Sequence, residues 1–155
     1  MKLSSLSTCF QVICIFQFKI NKDIFIVSTS MQVSLLKSKI HRASITSVKP
    51  DYSGSLSIDL DLMEAAGFLH HEKILVGNIT NGERFETYCI PAARGSHEIG
   101  LNGAAAHKGN VGDLLVIMTF INLNPEEAKV WEPRLVIIDD NNKTYQILKS
   151  PHTEN

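Results

Sequence analysis

The chain lacks an excess of either charge: 15 Lys and Arg stand against 16 Asp and Glu, a formal net charge of −1 over 155 residues. A surface without a basic field has little with which to neutralise a phosphate backbone, which sets nucleic acid aside as a partner. Cysteine is scarce and odd in number, with Cys9, Cys14 and Cys89 forming no Cys-x-x-Cys pair. That excludes a disulfide framework and fits a reducing, cytoplasmic setting. No set of His and Cys has the spacing of zinc ligands, so no metal is expected. Long apolar runs are missing too. The most apolar early stretch, "CFQVICIFQF", is interrupted by Gln and followed by "KINKD", which is too short and too broken for a membrane span and carries no Ala-x-Ala cleavage site. We read translation as beginning at Met31, with residues 1–30 a start-site artefact or a loosely held extension.

From Met31 onward, short apolar runs alternate with turn signals at close spacing, the pattern of a small β-barrel or sandwich forming one domain over 31–150, with a polar tail at 151–155. "SLLKSKIHRASITSV" alternates and predicts one strand or two joined by a bend. "DLDLMEAAG" predicts a short helix with Asp61 as N-cap and Gly67 as its stop. "KILVGNITNGERFETYCI" predicts a hairpin turning at Asn81-Gly82 in a type I′ turn. "ARGSHEIGLNGAAAHKGNVGD" reads as a strand between two loops. "LLVIMTFINL" is apolar nearly throughout and predicts a buried strand, followed by a helix with Asn124 as cap and Pro125 at its first position. Asn141-Asn142 predicts a tight turn between the last two strands.

Several residues in this frame could carry chemistry. Lys39 and His41 lie two apart on the first strand and so share a face, which is either solvated or part of a cleft. Arg84 and Tyr88 lie four apart and also share a face, with Glu86 between them. An Arg fork and a mobile Lys charge would suit a small dicarboxylate, whereas a plain cross-strand ion pair would be worth little. Thr87 falls on the opposite face, and a bulge or a second subunit would be needed to bring it into the same cleft. In "LNGAAAH", Asn102 offers an amide beside Gly103, Ala104 and Ala105, whose small side chains allow close approach to the backbone. "YSGS" at 52–55 is either an ordinary turn or a place where the backbone itself reacts.

"KSKIHRASIT" with "YSGS", then "DLDLMEAAG", "TNGERFETY", "ARGS", "NGAAAH" and "GD", in this order and at these separations, resemble the bacterial aspartate 1-decarboxylase family. The resemblance runs from about Met31 to Leu148. It implies a mainly β fold, a double-psi β-barrel with short helices, assembled as a homotetramer. It also implies the removal of the α-carboxylate of L-aspartate to give β-alanine for pantothenate synthesis.

The resemblance decides between the two readings of "YSGS". In the family the Gly-Ser bond cleaves itself, here between Gly54 and Ser55, through attack of the Ser55 hydroxyl on the Gly54 carbonyl and β-elimination of the resulting ester. Ser55 becomes an N-terminal pyruvoyl group, the covalent cofactor, which forms an imine with the substrate. By the same resemblance Thr87 and Asn102 assist cleavage, Lys39 and Arg84 hold carboxylates, and Thr87, Gly103, Ala104 and Ala105 line the pocket. Tyr88 protonates the carbanion and His41 supports the site. A maturation partner is left open. Two positions depart from the family's habit: Lys49-Pro50-Asp51 precedes Tyr52, and Ala93 stands where Glu is usual before Arg-Gly-Ser. A barrel that stays uncleaved and serves as a binding or regulatory module is the alternative reading.

Overall fold

The computed structural model describes residues 15–20, 23–28, 31–139 and 141–148. Within the first thirty residues, β1 (Ile15–Ile20) and β2 (Asp23–Ser28) form an antiparallel two-stranded sheet. The rest of that extension and the polar tail at 151–155 lie outside the described residues.

The remaining strands are β3 (Val33–Ser44), β4 (Ser47–Lys49), β5 (Leu56–Asp59), β6 (Lys73–Asn78), β7 (Arg84–Ala92), β8 (Ile99–Asn102), β9 (Leu114–Leu123), β10 (Arg134–Asp139) and β11 (Thr144–Leu148). They hydrogen-bond in the order β11-β10-β3-β9-β6-β7-β5-β8-β4. The mainly β expectation holds. Parallel pairs β3/β10, β5/β7 and β4/β8 are set among antiparallel neighbours, in keeping with the double-psi barrel, although the hydrogen-bonded order stays open between β11 and β4.

The core follows from strand alternation. Ile40, Leu56, Ile58, Ile74, Val76, Ile99, Leu101, Leu115 and Ile117 are wholly buried, each worth about 1.5–3 kcal/mol against exposure. β9 was expected to be buried throughout. It alternates instead, with Leu115, Ile117 and Thr119 inward and Leu114, Val116 and Met118 only partly covered, because one of its faces borders a cavity. β3 slips one residue against β9 at Lys37 and again at Arg42, whose φ is +67°. Bulges of this kind bend a strand and increase its twist, and the second lies just before β4.

Helix α1 (Leu60–Ala66) buries Leu62, Met63 and Ala66 and ends at Gly67, whose φ of +68° gives a left-handed cap. Its N-cap is Asp59 rather than Asp61: the Asp59 carboxylate accepts from the Asp61 N–H at 2.9 Å. Asp59 wins because it is buried and also accepts from the N–H groups of Gly95 and His97 at 3.1 and 2.5 Å. Helix α2 (Pro125–Lys129) carries the expected Asn124 cap, with Glu127 completing a capping box. Asn141 and Asn142 both take positive φ, as the predicted tight turn requires.

The β6–β7 hairpin forms without the type I′ turn. Its loop is Ile79–Glu83, and of Asn81 and Gly82 only Gly82 has a positive φ. Asn78 dictates the wider loop. Its side-chain oxygen accepts from Thr80 and Asn81 N–H at 2.9 and 3.3 Å, and its amide donates to Lys108 O and Asp113 Oδ2 at 3.1 and 2.9 Å.

Candidate active site

β4 ends at Lys49, and Pro50 and Asp51 occupy the corner of a turn closed by the Tyr52 N–H on Lys49 O at 3.2 Å. Proline suits this corner, since it fixes φ and donates no hydrogen bond there. The chain then reaches Gly54 at φ +105° and Ser55 at φ +92° before settling into β5. Glycine takes such a φ freely. A buried serine does not, and residues held in sparsely populated backbone regions cost about 1–3 kcal/mol and cluster at reactive sites.

Asn102 faces this strained serine from the end of β8. The Asn102 N–H donates to Ser55 O at 3.1 Å. Its carboxamide donates from Nδ2 to Ser55 Oγ at 3.2 Å and to Ser57 Oγ at 2.8 Å. Both Ser55 and Asn102 are almost fully covered, at 2% and 1% exposure, and Asn102 Oδ1 is buried without a partner. The next residue, Gly103, has φ +59°, and a Cβ there would stand 2.7 Å from Gly54 N and 2.7 Å from Tyr52 O. Only glycine lets the two backbones approach this closely.

A cavity of about 230 Å³ opens beside this contact, lined by Gly54, Ser55, Thr87, Tyr88, Asn102, Ala104 and Ala105, with Phe85, Glu86 and Lys108. Thr87, expected on the far face of β7 from Tyr88, therefore reaches the same cavity. The Tyr88 ring stands edge-on to His71, with centroids 5.6 Å apart.

Lys39, His41 and Arg84 line a different cavity of about 470 Å³, together with Asn78, Glu83 and Met118. Arg84 and Tyr88 thus share a face by alternation yet open into separate hollows. In this second cavity burial lowers the His41 pKa below its ordinary value, helped by the positive charges of Lys39 and Arg42. Its Nδ1 is buried without a partner. His41 is therefore neutral near pH 7, and Lys39 and Arg84 supply the positive charge. Glu83, beside them, is paired with Lys108 Nζ at 2.9 Å, which offsets the carboxylate.

Cys89, buried in the core, is a poor nucleophile. Burial, and then the Glu72 carboxylate, push the Cys89 thiol up to about 11, and it donates to Leu69 O at 3.2 Å. Ser57 and Lys108 join the site without having been among the sequence candidates. A strand places residues two apart on one face, so Ser55-x-Ser57 was readable as a pair. The position of Lys108 depends on the turn of 3₁₀-helix over Gly103–Lys108 and left no such signal.

Among the described residues no helix is long and apolar enough to cross a membrane. The profile of the aspartate decarboxylase family matches residues 31–145. The aspartate 1-decarboxylase of Caldicellulosiruptor saccharolyticus is 52% identical over 125 residues, covering 80% of this chain and 98% of its own length. That of Bordetella avium is 47% identical over 121 residues, 78% of this chain and 99% of the relative. That of Campylobacter jejuni is 50% identical over 117 residues, 76% of this chain and 92% of the relative.

Proposed function

The chain belongs to the aspartate decarboxylase family, and from that premise we propose that it converts L-aspartate to β-alanine and carbon dioxide in the cytoplasm, feeding pantothenate synthesis. The observation that carries the reading is the buried Ser55 at φ +92°, with Asn102 Nδ2 3.2 Å from its hydroxyl oxygen.

The residues present fit maturation of Ser55 to a pyruvoyl group. Gly54 has no Cβ to obstruct attack on its carbonyl, and Gly103 holds the backbone in a conformation that an ordinary residue resists. The Ser55 hydroxyl adds to the Gly54 carbonyl and displaces the Ser55 nitrogen, giving an ester. Elimination across Cα–Cβ of Ser55 then frees the Gly54 carboxylate, and water releases ammonia to leave the ketone. Thr87 and Asn102 are the neighbours assigned to assist, since a developing oxyanion needs a preorganised donor.

The pyruvoyl group supplies a carbonyl that captures the substrate amine and accepts the electron pair released with carbon dioxide. Lys39 and Arg84 bind the carboxylates, Arg84 through its planar fork. The neutral imidazole of His41 supports them without adding charge. The Gly103, Ala104 and Ala105 segment leaves room for substrate against the backbone, and the half-exposed Tyr88 returns a proton to Cα. Because the carboxylate-binding residues and Ser55 line different cavities, we infer that a neighbouring copy in a homotetramer completes each site. The uncleaved binding-module reading has no observation in its favour.

Denaturing intact-mass spectrometry of the purified protein tests the reading. Two fragments divided between Gly54 and Ser55, the larger reacting with a carbonyl reagent, are expected, together with β-alanine formation from aspartate. A single intact mass after prolonged warming, with no turnover, would overturn it.

A further inference from the structure

We propose that Ser57 is a positioning residue that fixes the Asn102 carboxamide, and that in the matured protein it is the side chain on which that orientation depends. The proposal rests on the reading of Ser55 as the residue converted during maturation.

An asparagine side chain keeps a freedom that a packed core does not remove. Its terminal torsion is broad, so packing alone does not set which way the amide faces, and hydrogen bonds must. Asn102 Nδ2 has two hydroxyl partners, both buried: Ser57 Oγ at 2.8 Å and Ser55 Oγ at 3.2 Å. Its Oδ1 has no partner. Two hydroxyls, one just before β5 and one within it, therefore hold one amide, and the shorter bond goes to Ser57.

Maturation removes the weaker holder. The Ser55 hydroxyl oxygen leaves that residue with the Gly54 carboxylate, so the 3.2 Å bond ceases to exist in the product. Ser57 is untouched by the chemistry and keeps the amide facing the reacting carbon.

The sheet is arranged to permit this reach. β5 and β8 are antiparallel, with Ser57 opposite Gly100 and Leu56 opposite Leu101, which puts Asn102 diagonally across from Ser57. A Cβ at Gly100 would stand 3.3 Å from the Ser57 Cβ, 2.8 Å from Ser47 Oγ and 2.9 Å from Glu98 Oε1. Glycine at 100 leaves the space in which Ser57 turns toward Asn102.

The test compares Ser57→Ala with Ser57→Thr in the full chain. With Ser57→Ala, cleavage slows only a few-fold because Ser55 still holds the amide, whereas kcat of the cleaved enzyme falls about tenfold with KM within twofold, the pattern of a lost transition-state interaction. Ser57→Thr keeps the hydroxyl and restores kcat. A separate readout needs no turnover. In Ser55→Ala, which removes the same oxygen, the Asn102 side-chain NH₂ protons should remain protected from exchange by NMR, and in Ser55→Ala/Ser57→Ala they should not. Wild-type kcat in Ser57→Ala, or equal protection in the single and double variants, would overturn the role of Ser57. Protection lost only in the double variant, beside a wild-type protein that neither cleaves nor decarboxylates, would uphold the anchoring and reject the proposed function.

Discussion

Replacing Gly103 by Ala puts the contact between Gly103 and Gly54 under direct load. A Cβ there meets Gly54 N and Tyr52 O at 2.7 Å and Gly54 Cα at 2.8 Å, all backbone atoms that no rotamer change can move. To reach ordinary contact near 3.4 Å, the two segments must separate by about 0.7 Å. Alanine at φ +59° adds about 1–2 kcal/mol of backbone strain, and overpacking adds about 1–3 kcal/mol. Gly103→Ala should therefore cost about 2–5 kcal/mol of stability, measured by urea unfolding in a Ser55→Ala background where no cut complicates the transition. In the Ser55 protein, losing even about 2 kcal/mol of preorganisation slows cleavage about thirtyfold, followed by intact mass against time. Gly77→Ala is the stability control, since its Cβ meets nothing within 4 Å and its φ is not positive. The reasoning fails if Gly103→Ala loses under about 1 kcal/mol and cleaves at the parent rate.

Three further outcomes follow from the geometry. Asn142→Gly keeps the positive φ but deletes the bonds from Ser44 N–H and to Ser44 O and His97 O, and urea unfolding of the uncut protein should show a loss of about 2–4 kcal/mol. Because the folded-state pKa of His41 lies below its ordinary 6.5, the unfolded chain binds the proton first; stability should fall as pH drops below that value toward the lowered pKa, and His41→Gln should flatten this part of the pH–stability curve. Ser55→Ala and Arg84→Ala subunits, each inactive alone, should regain turnover when co-expressed, up to about a quarter of sites under random mixing of symmetric subunits; no recovery in verified mixed tetramers would place both cavities' functions within one subunit.

The residues show why parts of the molecule were legible in the sequence and others were not. Helix α2 was readable because Asn124, Pro125 and Glu127 act within one turn of each other, and the turn at Asn141-Asn142 likewise depends on its own two backbones. The type I′ turn failed because Asn78, at the end of β6, organises the whole loop and reaches to Asp113. Asp59 displaced Asp61 as cap through partners at Gly95 and His97, 36 and 38 residues away in the chain. The same division runs through the site. Alternation puts Arg84 and Tyr88 on one face of β7, yet they line different cavities. The apposition of Gly103 and Gly54 depends on two loops meeting in space, which periodicity within either loop does not encode.

β3 runs for 12 residues between β9 and β10, and β4 borders β8. Both precede Gly54, whereas all three of their partners follow Ser55. A cut between those residues leaves two polypeptides threaded through one another, joined by ladders and not by a covalent link. Before the cut, folding is a property of one molecule and its speed is indifferent to dilution. After it, recovery from denaturation is an encounter between two molecules and scales with their concentration. The mature protein would then carry a history, persisting once assembled yet unable to regain its shape in dilute solution as its precursor does.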